Sequence, residues 1–422
     1  MSVFPTVAAF EAALNELPHP GQSATEMARA RQGQLTKPPG SLGRLEDVAL
    51  FFAGWQERER PQIDRARVVV FAGNHGVAAK GVSAYPADVT AQMVVNFEAG
   101  GAAINALARA AGLELKVVAL DLECPTEDFT AAPAMTEADC LAALEAGAAS
   151  VEADLDLVAV GEMGIGNTTA AAALCARSLG GGGSEWVGPG TGVDGAGIAR
   201  KIAVVDQALV YHRGAPMTAF ETLRRVGGRE IAGIAGAVLR ARQLRIPVLL
   251  DGFITCAAVA PLAAQAPRIV GHCIAGHCSA EPGHVRLLAH LGLDPLLRLD
   301  MRLGEGSGAA VAANVIAADN DEEARRLFTS IQQSFVRLRR GMPGQLPPPI
   351  DDIDSFAAPQ ERAGADRALI YSYVGEPPKV EEGLRHFLDL TRPDELIVTG
   401  HIYDHKARLR SFEIAAQILS GI

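Results

Sequence analysis

The chain has 422 residues and a formal net charge of −11 at pH 7. This acidic balance, without a lysine-rich run, argues against nucleic acid and anionic membrane surfaces as partners. No apolar stretch has the length of a membrane span, no charged leader opens the sequence, and the six cysteines are scattered, so we expect a cytoplasmic protein.

Hydrophobic residues make up 49% of the chain but aromatic residues only 5%, and there are 44 glycines. This composition is typical of an α/β protein with many tight strand–helix turns. At the start of the chain, helices are predicted over Val7–Leu17, Ala24–Gln34 and Leu45–Gln56. The proline- and glycine-rich loop between the last two is either a rigid connection or, through Lys37, an anion contact.

A buried strand is predicted over Arg67–Gly73. Asn74 and His75 follow its carboxyl end, where ligands of open α/β sheets collect. His75 is interpreted either as a general base or as a hydrogen-bonded structural residue. Strand and helix patterns then alternate as far as Leu303, which predicts a doubly wound, mostly parallel sheet.

The most informative stretch is a short apolar strand, Leu155–Val160, followed by a glycine loop and an alanine-rich helix. Gly164 and Gly166 let the backbone approach a ligand closely, and Asn167 or Thr168 is expected to cap the helix. An open helix N-terminus favours an anion. A tight structural turn remains the alternative explanation of this loop.

A second glycine run, Val187–Val193, repeats this arrangement after another short strand candidate. It leads into a helix predicted over Gly192–Leu209, which contains Lys201. The spacing fits neither the dinucleotide fingerprint nor the P-loop. The two loops together favour a phosphate carried on a small substrate.

Two further patterns have alternative interpretations. The histidines and cysteines between His272 and His284 suggest zinc, but adjacent residues of a strand point to opposite faces, so no metal site is expected. Glu305 lies between glycines ahead of a helical run. It is either a helix N-terminal acid or a positioned general base.

Six motifs occur in an order that resembles the nicotinate-nucleotide–dimethylbenzimidazole phosphoribosyltransferase family. They are Lys37–Gly43, Gly73–Pro86, Gly161–Thr169, Gly188–Gly192, Ser279–His284 and Arg302–Gly308. The resemblance covers about residues 1–312. It implies transfer of ribose 5-phosphate from nicotinate mononucleotide to 5,6-dimethylbenzimidazole in cobalamin lower-ligand assembly, with no cofactor or metal and in a homodimer.

The resemblance also implies roles for individual residues. Glu305 is the expected base for the azole proton, and Glu162 is a second carboxylate near the reacting ribose. Lys201 and the glycine loops are expected at the phosphate, while Ser83, Tyr85, Gln92 and Leu303 are expected to line the base pocket. The complete set of expected substrate-binding residues is Ser83, Tyr85, Gln92, Gly164, Gly166, Asn167, Thr168, Gly190, Thr191, Gly192, Lys201 and Leu303.

These observations predict three parts of the chain: N-terminal helices of a small helical domain (1–66), the α/β transferase domain (67–312) and an appended α/β tail (313–422). The tail resembles the end of luciferase-like flavin-dependent monooxygenases, which are (β/α)8 barrels, but no flavin is expected to bind. Residues 341–366 are expected to form an extended linker. Asp394–Gly400 is expected to lie on the first domain, pair with its sheet edge or remain poorly ordered. The alternative function is an inactive fusion remnant that binds azole or phosphate ligands without catalysis.

Overall fold

The described residues form two compact units, Met1–Ala310 and Val311–Ile422. The computed structural model describes residues 2–35, 38, 40–41, 43–111, 113–190, 192–297, 305, 313–317, 321–340, 342, 344–369, 372–391, 398–399 and 401–419. Among the helices within these ranges, none combines the length and apolar character that crossing a membrane requires. The finer division of the first unit at residue 66 stays a prediction.

The first unit is built on a five-stranded parallel sheet. Its strands are β1 (Ala66–Ala72), β2 (Glu114–Ala119), β3 (Leu157–Met163), β4 (Val248–Leu250) and β5 (Cys273–Ala275). Their order is β2-β1-β3-β4-β5, and every neighbouring pair is parallel. The predicted doubly wound α/β fold is therefore confirmed.

Helices cover both faces of this sheet. In chain order they are α1 (Val7–Asn15), α2 (Gln22–Gln32), α3 (Arg44–Gln56), α4 (Asp88–Glu98), α5 (Ala103–Ala111), α6 (Glu137–Ala149), α7 (Asn167–Leu179), α8 (Gly183–Trp186), α9 (Gly195–Tyr211), α10 (Ala219–Val226), α11 (Arg229–Gln243), α12 (Phe253–Gln265) and α13 (Pro282–Leu291).

The sequence of β1 explains this layering. All seven residues of the strand are buried, as expected of a central strand covered on both faces. Val69 and Phe71 belong to the larger core, whereas Val68 and Val70 belong to the smaller core with α4 and α5. Because side chains alternate along a strand, one apolar run supplies both cores.

One strand candidate in this unit was wrong. The residues before the second glycine run form the short helix α8 and not a strand. Glu185 accepts a backbone hydrogen bond from Gly182, and Trp186 donates its indole N–H to the Gly180 carbonyl oxygen at 2.8 Å. These contacts satisfy the local polar groups without a sheet partner.

The second unit has its own parallel sheet, β7-β6-β8. The strands are β6 (Ala313–Ala317), β7 (Tyr373–Gly375) and β8 (Val398–Thr399), and the helices are α14 (Asp321–Arg339), α15 (Pro359–Ala368), α16 (Pro377–Thr391) and α17 (His405–Leu419). Val380, Leu384 and Ile414 are buried together in one of its apolar clusters.

Two expectations for the tail were wrong. The described part of 341–366 is not an extended linker, because Ile353 and Ala357 are buried against Val336 of α14 and Arg340 forms an ion pair with Glu361. The strand expected within 394–400 pairs through Val398 and Thr399 with β6 of its own unit. A partner strand from the same unit therefore satisfies its backbone; residues 392–397 and 400 lie outside the described residues.

Candidate active site

A cleft opens at the carboxyl ends of β3 and β4, where the topology of a doubly wound sheet favours ligand binding. It encloses about 860 Å³ of empty space, including its open mouth. Eight of the residues expected at the substrate line it: Ser83, Glu162, Gly164, Gly166, Asn167, Thr168, Gly190 and Lys201. The strand-end motifs of the sequence thus converge on one cavity.

The other expected residues have different placements. Tyr85, Gln92 and Gly192 are described, but they do not line the cleft, and all three are exposed. Thr191 and Leu303 lie outside the described residues, as does Lys37. Glu305 is described and is buried, but it is not among the residues that line this cleft.

The first glycine loop ends in a helix whose N-terminus has no side-chain cap. Gly166, with φ of 97°, is the N-cap of α7, and this left-handed conformation strongly favours glycine. The expectation that Asn167 or Thr168 caps the helix was wrong. Asn167 donates its amide to the Glu162 carboxylate, and Thr168 accepts from Lys201. The dipole of α7 is therefore directed at the cleft without a competing cap.

The second glycine loop is engaged by the protein itself. The Gly190 backbone N–H donates to Glu281 Oε1 at 2.7 Å, so a carboxylate occupies the donor that was expected to meet the ligand. The following helix, α9, is capped by Asp194, which accepts from the Gly197 N–H at 2.8 Å. The two loops are thus not equivalent, because only the first leaves its helix N-terminus uncapped.

Lys201 connects the two loops. It extends from α9 and is 1% exposed, and its Nζ donates to Thr168 Oγ1 at 2.9 Å and to the Gly188 carbonyl oxygen at 2.8 Å. Burial lowers the pKa of Lys201, and the Glu281 carboxylate opposes that shift. A buried ammonium group beside an open helix N-terminus is suited to an anion.

Carboxyl groups are clustered in the cleft and just behind its lining. Burial raises the pKa of Glu162, at the end of β3, to about 8. The hydrogen bond from Asn167 opposes this shift, whereas Asp251, Glu230 and Glu305 add to it by charge repulsion. Glu162 is therefore largely protonated near neutral pH in the unliganded protein.

Glu305 is the second carboxyl group with a strongly shifted pKa. Burial raises its pKa to about 7, with a further contribution from the charge of Asp251. Its φ of 63° is in the left-handed region, which non-glycine residues rarely adopt. A carboxyl group with this pKa is half ionised near neutral pH and is suited to accept a proton.

The Glu162→Gln substitution is expected to remove a pH-dependent loss of stability. Because the folded-state pKa of about 8 lies above the ordinary 4.5, the stabilisation from the protonated carboxyl is complete below about pH 4.5 and is lost as the pH rises through 8. The variant should match the wild type near pH 4.5 and have a Tm roughly 5 °C higher near pH 9. Thermal unfolding at both pH values measures this difference, with Glu26→Gln, at an exposed position of α2, as the control. A Tm difference that does not change with pH would contradict the shift.

Sequence reasoning left several lining residues unassigned: Asp251, His277, Ser279 and Glu281. Asp251 directly follows β4, so the rule that ligands collect at the carboxyl ends of strands could have selected it, whereas Glu162 was expected from the family resemblance. His277 Nε2 lies 3.9 Å from Asp251 Oδ1, and burial lowers the pKa of His277. Ser279 and Glu281 belong to a motif whose contacts the local sequence does not reveal.

The histidine–cysteine segment forms hydrogen bonds instead of a ligand set. His284 Nδ1 accepts from the Ser279 backbone N–H and lies 2.9 Å from Ser279 Oγ. Burial lowers the pKa of His284 to about 3, so it is neutral. Within the described ranges, no three His, Cys, Asp or Glu side chains are arranged to share a metal ion.

The part of the chain that forms the cleft is similar to known phosphoribosyltransferases. A family model described as phosphoribosyltransferase matches residues 17–321. The nicotinate-nucleotide–dimethylbenzimidazole phosphoribosyltransferase of Novosphingobium aromaticivorans is 69% identical over 318 residues, which is 75% of this chain and 94% of that protein. The enzyme of the same name from Ruegeria pomeroyi is 57% identical over 310 residues, covering 74% of this chain and 92% of that protein.

A solved structure shares the fold of this region. The crystal structure of CobT from Thermus thermophilus has a TM-score of 0.64 and 44% sequence identity, covering 68% of this chain and 92% of that one. The similarity therefore spans almost the whole length of the relatives and leaves about a quarter of this chain unmatched.

Proposed function

Because the chain belongs to the nicotinate-nucleotide–dimethylbenzimidazole phosphoribosyltransferase family, we propose that it transfers ribose 5-phosphate from nicotinate mononucleotide to 5,6-dimethylbenzimidazole. The products are α-ribazole 5′-phosphate and nicotinate, and the reaction serves cobalamin lower-ligand assembly. The observation that carries the proposal is the buried Glu305 carboxyl group, with a pKa of about 7, in the same electrostatic cluster as Glu162 and Asp251.

The chemistry requires a base and a site that tolerates positive charge. The azole N–H proton passes to the Glu305 carboxylate as the other ring nitrogen attacks the anomeric carbon from the face opposite nicotinate. The bond from that carbon to the pyridinium nitrogen breaks, and its electron pair leaves with nicotinate. The pyridinium group and the transition state are positively charged, so a nearby ionised carboxylate favours both. Glu162 provides this carboxylate once the cationic ring lowers its pKa and its proton leaves.

The phosphate has a separate set of donors. The uncapped N-terminus of α7 and the Lys201 ammonium group lie on the same wall of the cleft. We assign the phosphate to these groups, with Gly164, Gly166, Asn167 and Thr168 around it. Glu281 already holds Gly190, so Gly190, Thr191 and Gly192 are proposed to shape the site rather than donate to the phosphate.

We propose that the flat azole binds near Ser83. The Ser83 hydroxyl lies in the cleft and accepts the Tyr85 backbone N–H at 3.2 Å. Tyr85 is 51% exposed, so its ring is accessible for stacking. Gln92 and Leu303 complete the proposed pocket.

A direct assay tests the proposed function. The full chain is incubated with nicotinate mononucleotide and dimethylbenzimidazole, and α-ribazole 5′-phosphate is detected by chromatography and mass spectrometry. Enzyme-dependent product, with an equal amount of nicotinate, is the expected result. Binding of both compounds without turnover would instead support the non-catalytic remnant.

The activity is expected to rise with pH. The base must be ionised, and the pKa of Glu305 in the unliganded protein is about 7, so kcat/KM for the azole should fall about tenfold per pH unit below 7 and level off above it. Initial rates at azole concentrations well below KM from about pH 5.5 to 8.5 measure the profile. A flat profile over this range would rule out Glu305 as the group that limits the rate.

We propose that residues 313–422 are an appended unit that the transfer does not need. Support comes from the family match, which ends at residue 321, and from the separate cores of the second unit. A chain ending after residue 312, before β6, should keep kcat within about threefold of the full chain. A cut after Arg340 is a poorer test, because it leaves β6 and α14 without β7 and β8. Loss of activity in a folded shorter chain would make the tail part of the enzyme.

We also propose that the enzyme is a cytoplasmic homodimer, a proposal that rests on the family resemblance. Sedimentation velocity of the full chain over a range of concentrations tests the association state. A monomer that is fully active would contradict the dimer proposal without affecting the proposed reaction.

A further inference from the structure

A buried contact between a histidine and a glutamate lies behind the active-site loop and is not explained by the transfer chemistry. His75 Nε2 is 2.6 Å from Glu230 Oε1, and both side chains are completely buried. His75 follows β1 and Glu230 is in the first turn of α11, so the pair joins two elements at the carboxyl edge of the sheet. Neither residue lines the cleft, and the pair therefore acts on the substrate only through other groups.

Three glycines make room for this pair. A Cβ added to Gly73 would lie 2.6 Å from Glu230 Oε2, and one added to Gly228 would lie 2.7 Å from the same atom. A Cβ at Gly164 would lie 3.1 Å from Glu230 Oε1 and 2.7 Å from the Gly73 carbonyl oxygen. Gly164 belongs to the active-site turn, so this turn rests directly on the Glu230 carboxylate.

The same turn carries the groups that face the substrate. The Asn167 amide lies 3.2 Å from the position of a Cβ at Gly164 and donates to the Glu162 carboxylate. Glu230 is also close enough to Glu162 to repel its negative charge. The pair thus affects Glu162 in two ways: it fixes the position of the Gly164 turn, and the negative charge of Glu230 repels that of Glu162.

We propose that Glu230, held by His75, is a positioning residue for the transfer: it supports the Gly164 turn and places a second buried carboxylate beside Glu162. The proposal rests on the proposed function for its catalytic meaning. Its physical consequence is independent of substrate, because the Glu230 charge keeps the proton on Glu162 to a higher pH. When a substrate with a cationic pyridinium ring binds beside Glu162, its positive charge lowers the pKa of Glu162, and the carboxyl group releases its proton.

Other charged groups around the pair are already engaged. On the 3₁₀ turn after His75, Lys80 pairs with Asp128 at 3.1 Å. Next to Glu230, Arg229 lies 3.7 Å from Asp139 and 3.8 Å from Asp121. Besides Glu230, the described carboxylates Asp251 and Glu305 also raise the pKa of Glu162. From α11, the Glu230 carboxylate is the group whose charge acts on Glu162.

The decisive experiment follows the Glu162 carboxyl carbon by NMR in protein labelled with ¹³C at the glutamate side-chain carboxyl, without substrate. The Glu162 signal is identified by its absence in Glu162→Gln. The Glu230→Gln variant is expected to lower the titration midpoint of Glu162 by about one pH unit, because it keeps the side-chain shape but removes the charge. Glu137→Gln, at a position on α6 away from the cleft, is the control and should leave the midpoint unchanged.

Glu230→Asp provides the conservative comparison. It keeps the charge but moves it away by one methylene, so its midpoint should lie between those of the wild type and Glu230→Gln. If Glu230→Gln does not fold, this variant decides the question. An unchanged Glu162 midpoint in a folded Glu230 variant would overturn the proposal, even if the protein is an active transferase.

Kinetics provide the second measurement. Glu230→Gln loses the charged contact with His75 that holds the Gly164 turn, so it should lower kcat about tenfold in the wild-type background. It should have much less effect in the Glu162→Gln background, where the contact between Asn167 and the Glu162 carboxylate is already lost. Equal losses in the two backgrounds would show a general structural role and overturn the positioning role. Because the NMR titration needs no turnover, absence of transferase activity would contradict the proposed function and leave the ionic coupling to be judged by the titration.

Discussion

Replacing Glu305 with glutamine is expected to lower kcat by about 10²–10⁴-fold while both substrates still bind. Glutamine has nearly the size of the native residue and keeps one carbonyl acceptor, but its amide cannot accept the azole proton. The backbone at this position is left-handed, with φ of 63°, and glutamine adopts this conformation no less readily than glutamate. The loss should therefore come from the chemistry and not from the fold.

Steady-state kinetics and isothermal titration with each substrate measure the two parts of this prediction. Glu98→Gln, at an exposed position at the end of α4, removes the same formal charge and should retain wild-type kcat. The pH dependence should also disappear: the small residual rate of Glu305→Gln should not rise through pH 7. A rate near that of the wild type would remove Glu305 from the mechanism, whereas loss of binding would make it a binding residue.

The sheet and the position of the cleft could be predicted from the sequence because both depend on local patterns. The apolar run of β1 is buried on both faces, and the glycine loop after β3 precedes a helix rich in alanine. The carboxyl ends of parallel strands meet at one edge of a sheet. This rule places Glu162 and Asp251 in one cavity, although the expectation for Glu162 came from the family resemblance and Asp251 was given no role.

The hydrogen bonds within the cleft could not be predicted in the same way. Asn167 and Thr168 are good capping residues by type, but in the fold they bind Glu162 and Lys201. Glu281, from a segment 91 residues away in sequence, takes the Gly190 N–H. These hydrogen bonds depend on which distant residues the fold brings into contact, and local sequence propensities do not encode those contacts.

The fold of the tail also depends on packing that its local sequence does not determine. Prolines in 341–366 suggested an extended linker, but buried apolar side chains such as Ile353 and Ala357 make the segment pack on α14. A strand that lacks its expected barrel neighbours finds another partner, β6, in its own unit. The backbone hydrogen bonds of this strand could be satisfied by a strand of its own unit or by a strand of another sheet, and the composition of the segment does not distinguish these outcomes.

Replacing Lys201 with methionine is expected to raise KM for nicotinate mononucleotide by about 10²-fold, with little change in dimethylbenzimidazole binding. Methionine fills the buried space of the lysine stem but removes the charge and both hydrogen bonds, to Thr168 and to Gly188. A charge-assisted hydrogen bond to phosphate contributes about 1.5–3 kcal/mol, which corresponds to roughly 10–10²-fold in affinity. The loss should be at the upper end of this range, because the Glu281 carboxylate then faces the phosphate without the opposing ammonium group.

This argument gives the prediction an internal test. The double variant Lys201→Met with Glu281→Gln should recover part of the lost affinity, because glutamine can still accept the Gly190 N–H but no longer repels the phosphate. Arg200→Met is the matched control: Arg200 is exposed on the same helix, donates to the Gly81 carbonyl oxygen at 2.8 Å and carries the same charge. Titrations of each variant with nicotinate mononucleotide and with inorganic phosphate should therefore rank wild type and Arg200→Met first, the double variant next and Lys201→Met last. If Arg200→Met weakens binding as much as Lys201→Met does, only the net charge of the protein matters. Unchanged affinity in Lys201→Met would show that the phosphate does not bind at the N-terminus of α7.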